Sequence, residues 1–333
     1  MEGEPVVSRR GVLQAPRESR VSPTCPIWLV VGFLGAGKTT LLRRLVHAAR
    51  GRSLVYVVNE FSAVDVDAGL IEREGGTTIA VPGGSIFCRC LVTEFVDVLR
   101  KVADGDIGNA GPAFRPEGVV IEASGMADPR SMRRLLAESR LDTRFHVAGV
   151  IAVVDPGTVM KLLLVLPNIR GQIEAADLIL LNKTDLHPAE AVEKVRQKIA
   201  AINPHATLIR CLRGAVDPAI LLADGASSRA EQVDAAFGAC KDPRFEREVV
   251  CFEGPVDLQA LCERVTSSGD GLYRVKGFVK TTGGWTHLDW SGGVLSLEDA
   301  APRPASALTM IWNPHAVREN PARRIAGAAA VAP

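Results

Sequence analysis

The sequence predicts an α/β fold, a parallel sheet with helices on both faces, followed by a small α+β domain. From residue 26 to about residue 211, short runs of β-branched apolar residues alternate with helical stretches. Near-continuous apolar strands in this alternation are typical of a parallel sheet that is buried on both faces. A segment rich in Ala, Gly, Ser and charge then precedes a shorter stretch with a different pattern.

The elements follow the chain in order. The predicted strands of the first part are Ile27–Val31, Leu54–Asn59, Thr78–Val81, Val119–Glu122, Val147–Val154, Leu178–Leu181 and Thr207–Cys211. Its predicted helices include Thr39–Arg50, Leu91–Ala103, Pro129–Glu138 and Ala189–Ile202. In the second part, strands are expected at Val249–Phe252, Tyr273–Lys280 and Thr286–Asp289, with one helix at Val256–Thr266. We therefore expect a tail at 1–25, a first domain at 26–222, a linker at 223–246, a second domain at 247–315 and a poorly ordered tail at 316–333.

Composition excludes several classes of protein. The 333 residues carry a formal net charge of +1, which argues against a nucleic-acid binder, because phosphate neutralisation needs a basic face. The longest apolar runs fall far short of the roughly 20 residues of a spanning helix, so no membrane association is expected. Residues 1–25 lack an apolar core and do not look like a secretory signal, although a transit peptide is not excluded. Seven cysteines, few and odd in number, favour a reducing compartment, and we expect a cytoplasmic protein.

A phosphate-binding loop lies between the first predicted strand and the first predicted helix. Its residues fit the P-loop pattern G-x-x-x-x-G-K-[ST], and they are Gly32, Phe33, Leu34, Gly35, Ala36, Gly37, Lys38, Thr39 and Thr40. Glycines let backbone N–H groups surround the phosphates, and the helix N-terminus adds its positive dipole end. Lys38 is expected to reach the β- and γ-phosphates, and the Thr39 hydroxyl to bind Mg²⁺. The loop therefore predicts a nucleoside triphosphate bound with Mg²⁺.

A tetrapeptide after the predicted strand Leu178–Leu181 indicates the base. It reads Asn182-Lys183-Thr184-Asp185, and a carboxylate such as Asp185 accepts hydrogen bonds from the guanine N1–H and 2-amino groups. Adenine lacks that pair of donors, so a buried acid would stay unpaired with ATP. Asn182, Lys183 and Asp185 are thus predicted to bind the nucleotide, which favours GTP.

Two acidic segments are candidates for the catalytic side of the site. Glu122 ends a predicted buried strand, where an acid can hold Mg²⁺ directly or through water, and Gly125 lets the backbone approach the γ-phosphate. The polar loop from Asn59 to Asp67 is a candidate switch, with Asp67 a possible metal or water contact. The catalytic candidates are therefore Lys38, Glu122 and Asp67, although either acid alone is also compatible with a solvated loop carboxylate.

These residues together resemble the CobW-like P-loop GTPases, a SIMIBI-class group that includes metal-insertion chaperones. The matching segments are Gly32–Thr40, Asn59-Glu60-Phe61 with Asp67, Glu122–Pro129, Val154-Asp155, Gln172–Asp177 with Asn182–Asp185, and Tyr273–Phe278. The resemblance implies a GTPase domain followed by an α+β domain. It also implies slow hydrolysis of GTP to GDP that gates the transfer of a transition metal, Zn²⁺ or Co²⁺, to a client metalloprotein. Oligomeric state stays open, with a homodimer as one arrangement.

The cysteine motif departs from that family's pattern. The family typically carries Cys-x-Cys-Cys after a glycine, whereas this chain reads Gly84-Ser85-Ile86-Phe87-Cys88-Arg89-Cys90. Aligned on the glycine, Ser85 and Phe87 replace the first two cysteines. Cys88 and Cys90 could still hold a soft metal with a further ligand, or could be small hydrophobic residues at the start of a helix.

Three functions are therefore considered for these residues. The first is a GTPase that acts as a metallochaperone or activates a metalloenzyme. The second is a nucleotide-switched scaffold that has lost metal transfer, which the reduced cysteine motif favours. The third, an ATP-dependent kinase, is disfavoured by Asn182–Asp185 and by the lack of an evident acceptor site in the sequence.

Overall fold

The described residues of the chain form two sheets with their own helices. The computed structural model describes residues 24–60, 75–82, 86, 92–107, 114–125, 127–224, 246–269, 271–291, 293–317 and 319–327. The strands of the first sheet are β1 (Cys25–Val31), β2 (Leu54–Glu60), β3 (Thr77–Pro82), β4 (Gly118–Glu122), β5 (Phe145–Val154), β6 (Leu178–Leu181) and β7 (Thr207–Arg210). Its helices are α1 (Lys38–Ala48), α2 (Val92–Asp104), α3 (Met132–Glu138), α4 (Pro156–Val165), α5 (Pro167–Ala175), α6 (Ala189–Ile202) and α7 (Pro218–Leu221).

The first sheet has seven strands in the order β3-β2-β4-β1-β5-β6-β7, and neighbouring strands pair in parallel. Strand β1 lies at its centre and is buried on both faces. Ile27, Leu29 and Val31 belong to one core layer, and Trp28 and Val30 belong to the other. This alternation of side chains places helices on each face, as a parallel sheet requires. The α/β prediction is confirmed.

The parallel direction of the strands determines where the functional residues meet. The carboxyl ends of all seven strands lie at one edge of the sheet, and the loops that follow them are neighbours. Open α/β sheets bind ligands at this edge. The P-loop follows β1, Asn59 lies in β2, Glu122 ends β4 and Asn182 follows β6.

The second sheet is antiparallel and has five strands in the order β11-β10-β9-β12-β8. Its strands are β8 (Glu246–Phe252), β9 (Leu272–Thr281), β10 (Gly284–Ser291), β11 (Val294–Ala300) and β12 (Ser306–Trp312). Helices α8 (Leu258–Thr266) and α9 (Pro321–Ala326) pack on it and contribute Leu261, Val265 and Ile325 to its core. The predicted α+β character is confirmed, but the prediction of three strands missed β11 and β12.

Helix α9 corrects the expectation of a poorly ordered segment after residue 315. Asn320 caps this helix by accepting a hydrogen bond from the Ala322 backbone N–H at 2.7 Å, and Pro321 occupies its first turn. Ala322 and Ile325 are fully buried against the second sheet. The Ala-, Arg- and Pro-rich composition of this segment does not indicate a helix, yet the segment forms a short amphipathic one. The domain boundaries themselves stay predictions.

Candidate functional site

The P-loop folds as a tight turn between β1 and α1. Gly37 precedes the helix with φ +107°, and a Cβ added there would lie 2.2 Å from the Asn182 side-chain nitrogen. Only glycine combines that dihedral angle with that proximity. Gly37, Lys38 and Thr39 line a cavity of about 220 Å³ above the carboxyl edge of the first sheet, which we call the P-loop cavity.

Lys38 is the buried cation of this loop. Its side chain is only 5% exposed, and its ammonium donates hydrogen bonds to the carbonyl oxygens of Gly32 at 2.9 Å and Phe33 at 3.4 Å. These bonds hold the charge at the wall of the cavity. A positive group at this place complements the oxygens of a phosphate chain.

Thr39 in the first turn of α1 and Glu122 at the end of β4 meet at the carboxyl edge of the first sheet. The Thr39 hydroxyl donates to a Glu122 carboxylate oxygen at 3.2 Å, and Glu122 is 5% exposed. A hydroxyl and a carboxylate are hard oxygen donors of the kind that Mg²⁺ prefers, and both line the P-loop cavity. The donor set therefore fits Mg²⁺.

The loop after β4 is held against the P-loop by helix α5. The Gln172 amide is buried and donates to the carbonyl oxygens of Gly125 at 3.2 Å and Ala127 at 2.8 Å. A Cβ on Gly125 would lie 2.8 Å from the backbone nitrogen of Leu34. Gly125 thus allows the loop after β4 to pack closely against the P-loop.

Asn59 connects the end of β3, the segment around Ile86 and the loop after β4 at the same edge. Its carboxamide oxygen accepts from the backbone N–H groups of Ile86 and Ser124, each at 3.2 Å, and its nitrogen donates to the Val81 carbonyl at 3.2 Å. The side chain is 6% exposed. Ile86 belongs to the segment that contains Cys88 and Cys90, so Asn59 links that segment to the loop after Glu122.

We expect Asn59→Ala to lower the free energy of unfolding by about 3 kcal/mol, because it leaves three buried backbone groups without their partner. Urea denaturation followed by circular dichroism measures this loss. Ser53→Ala, an exposed substitution just before β2, is the matched control. A loss below about 1 kcal/mol for Asn59→Ala would contradict the role of its side chain in connecting these loops.

On the base side, Asn182 ties three segments together. Its amide nitrogen donates to the Ala36 carbonyl at 2.8 Å, and its oxygen accepts from the Gly214 backbone N–H at 3.0 Å. It is 1% exposed, so the side chain positions the P-loop and the loop after β7. Burial raises the pKa of the Cys211 thiol, which keeps its proton and donates to the same oxygen at 3.6 Å.

Lys183 and Asp185 lie beside Asn182. Lys183 adopts a left-handed backbone conformation, and its ammonium contacts an Asp155 carboxylate oxygen at 3.1 Å. Asp185 lies in a 3₁₀ turn at Thr184–Leu186 and is exposed. The prediction that Asp185 selects guanine over adenine therefore requires that the bound base itself buries this carboxylate.

Three predicted site residues lie outside the described residues. They are Asp67 of the candidate switch and Cys88 and Cys90 of the cysteine segment. Within the ranges that the structure describes, no three His, Cys, Asp or Glu side chains form a metal-binding group. The transition-metal and switch assignments stay predictions.

Sequence reasoning missed two contributions to the site. The loop Cys211–Gly214 contacts Asn182, and its position after β7, next to β6 in the sheet, was an available signal. The second contribution is the polar face of the second sheet, which lines the P-loop cavity with Arg274, Lys276, His287, Asp289 and Ser291, among others. The segment Tyr273–Phe278 was recognised only as a matching stretch, with no role for its charges.

In comparisons with known proteins, two family models cover most of the chain. The model described as "CobW/HypB/UreG, nucleotide-binding domain" matches residues 26–210, and "Cobalamin synthesis protein cobW C-terminal domain" matches residues 245–324. Zinc chaperone YjiA of Escherichia coli (strain K12) is 31% identical over 277 residues, which cover 80% of this chain and 85% of YjiA.

Two further relatives and one solved structure are also similar to this chain. Zinc chaperone CobW of Sinorhizobium sp is 28% identical over 298 residues, covering 78% of this chain and 82% of the relative. The zinc-regulated GTPase metalloprotein activator 1 of Schizosaccharomyces pombe is 30% identical over 208 residues, covering 62% and 50%. The crystal structure of Zn(II)-bound YjiA GTPase from E. coli aligns with a TM-score of 0.46 at 24% identity, covering 92% of this chain and 98% of that one.

Proposed function

The chain belongs to the CobW/HypB/UreG family, and from this premise we propose that it is a GTPase that delivers a transition metal to a client metalloprotein, with Zn²⁺ as the first candidate. The nucleotide part rests on one observation. Lys38, Thr39 and Glu122 line a single cavity, with the Thr39 hydroxyl 3.2 Å from the Glu122 carboxylate. The metal part rests on relatives that are named zinc chaperones and zinc-regulated GTPase activators.

Each residue has a role in this proposal. Lys38 binds the β- and γ-phosphates of GTP, and the P-loop backbone surrounds them. Thr39 and Glu122 hold Mg²⁺, which when bound neutralises charge on the phosphate oxygens. Glu122, at the edge of that site, orients the attacking water, and Asp185 accepts hydrogen bonds from guanine.

In the proposal, the site alternates between a GTP-bound state and a GDP-bound state. Asn59 transmits the change between the two states to the segment around Ile86, where Cys88 and Cys90 bind the metal. Two thiolates are an incomplete tetrahedral site, because Zn²⁺ in proteins usually has four ligands. A residue from elsewhere in the chain or from the client completes the site.

Titration of Zn²⁺ by calorimetry tests the metal assignment. The protein is loaded with GDP or with a non-hydrolysable GTP analogue. We expect the wild type to bind Zn²⁺, and the double variant Cys88→Ala/Cys90→Ala to lose at least about tenfold in affinity. Cys251→Ala, which removes an exposed cysteine in β8, is the matched control and should leave the titration unchanged.

A second candidate function is favoured by Ser85 and Phe87, which replace two cysteines of the family's motif. It is a nucleotide-switched scaffold that regulates a partner without carrying metal. Equal Zn²⁺ titrations for the wild type and the double variant would support this function and count against the first. Partner binding that depends on GTP and is unaffected by a chelator would do the same.

A further inference from the structure

Strands β9 and β10 have two chemically different faces. Side chains alternate across a strand, and Val275, Val279, Leu288 and Trp290 point into the core of the second sheet. The opposite face carries five polar side chains that line the P-loop cavity, and they are Arg274, Lys276, His287, Asp289 and Ser291. The face that would be solvated in an isolated sheet is therefore a wall of the nucleotide site.

This polar face is buried by the first domain. Lys276 is 6% exposed, and Ser291 is 8% exposed. The Ser291 hydroxyl donates to the Leu34 carbonyl of the P-loop at 3.1 Å. A Cβ on Gly35, which has φ +75°, would lie 1.8 Å from the same hydroxyl oxygen, so a side chain there would push the two domains apart.

An aromatic contact reinforces this docking. The ring of Phe33 in the P-loop meets the ring of Tyr273 in β9 edge to face, with centroids 5.8 Å apart. Such pairs contribute beyond the area that they bury. Three consecutive P-loop residues, from Phe33 to Gly35, thus contact β9 or β10, and these contacts fix the position of the second sheet relative to the P-loop.

The wall carries charges of both signs. The Arg274 guanidinium donates to an Asp289 carboxylate oxygen at 3.0 Å, with the two side chains 14% and 28% exposed. Asp289 is also the cross-strand partner of Lys276, so one carboxylate lies beside two cations. On the same wall, His287 lies 4.0 Å from a Glu298 carboxylate oxygen.

Opposite this wall lie Lys38 and Thr39, which bind phosphate in the proposed function. Lys276 and Arg274 thus line the same cavity as Lys38, and a triphosphate between the two walls meets cations on both sides.

We propose that Lys276 binds the terminal phosphate of the nucleotide, with Arg274 beside it, so that the second domain completes the triphosphate site. This inference rests on the proposed GTPase function. It makes the second domain the element that distinguishes GTP from GDP, because only GTP carries the phosphate that Lys276 reaches.

The test compares Lys276→Met with Lys280→Met, an exposed lysine four residues further along β9. Equilibrium binding of fluorescent GDP and of a fluorescent non-hydrolysable GTP analogue is measured for the full chain. We expect Lys276→Met to weaken binding of the analogue by about tenfold or more while GDP affinity changes by less than about threefold. Lys280→Met should match the wild type, and Lys276→Arg should restore most of the preference for the analogue.

A Lys276→Met protein that keeps the wild-type ratio of analogue to GDP affinity would overturn the inference and leave the proposed function standing. A wild type that binds neither nucleotide would remove the proposed function and this inference with it. If Lys276→Met does not fold by circular dichroism, Lys276→Gln keeps a polar group at the buried position and carries the same expectation.

Discussion

Replacing Lys38 with alanine is expected to abolish binding of GTP and GDP, the largest effect that we predict. The ammonium is the buried cation of the P-loop and lies where the phosphates bind in the proposed function. Hydrogen bonds from a charged donor contribute about 1.5–3 kcal/mol each, and two phosphate groups lose theirs together. Affinity should therefore fall by roughly two orders of magnitude or more.

Fluorescent-nucleotide binding measures this loss, with ATP tested beside GTP. Lys198→Ala, which removes an exposed lysine from helix α6, is the matched control and should bind as the wild type does. Circular dichroism and urea denaturation establish that the Lys38→Ala protein is folded. Wild-type affinity for GTP in that variant would refute the phosphate assignment, and equal affinity of the wild type for GTP and ATP would refute the guanine assignment.

The second large effect is expected on hydrolysis. Glu122→Gln keeps the size of the side chain and a partner for the Thr39 hydroxyl, but it removes the negative charge that holds Mg²⁺ and orients the attacking water in the proposed function. We expect kcat for GTP hydrolysis to fall on the order of 100-fold, the scale of a lost electrostatic contribution to the transition state. The affinity for GDP should change much less, since Lys38 and the P-loop backbone are unaltered.

Single-turnover hydrolysis of GTP measures this step directly. The control is Glu117→Gln, an exposed acid just before β4 whose ion pair with Arg52 at 3.3 Å lies on the surface. Such pairs contribute little, so this variant should hydrolyse GTP at the wild-type rate. An unchanged kcat in Glu122→Gln would remove Glu122 from the catalytic residues and leave that role to Asp67 or another group.

The fold of the first domain was predictable because its strands carry a strong signal. Buried parallel strands such as β1 and β5 read as continuous apolar runs, and parallel topology then brings their carboxyl ends together. That argument is sufficient to place Thr39 near Glu122 and Asn182 near the P-loop. It does not depend on any side-chain detail.

The parts that sequence reasoning missed have different physical causes. Strand β11 lies at the sheet edge and is largely exposed, so its Val294–Ala300 run mixes apolar and charged residues. Helices α4 and α5 each begin at a proline, which reads as a break although proline suits a first turn. Lys276 was not predicted as a site residue, because its proposed role depends on a contact between the two domains that no local sequence pattern records.

The amide of Asn182 spans the distance between the two ends of the nucleotide site. One side of it holds the P-loop through Ala36, and the other holds the loop after β7 through Gly214. In the proposed function, the free energies of base recognition and of phosphate recognition are therefore coupled through this side chain. Substitutions at the two ends should show strong non-additivity in a double-mutant cycle, because each disturbs the shared amide on which the other depends.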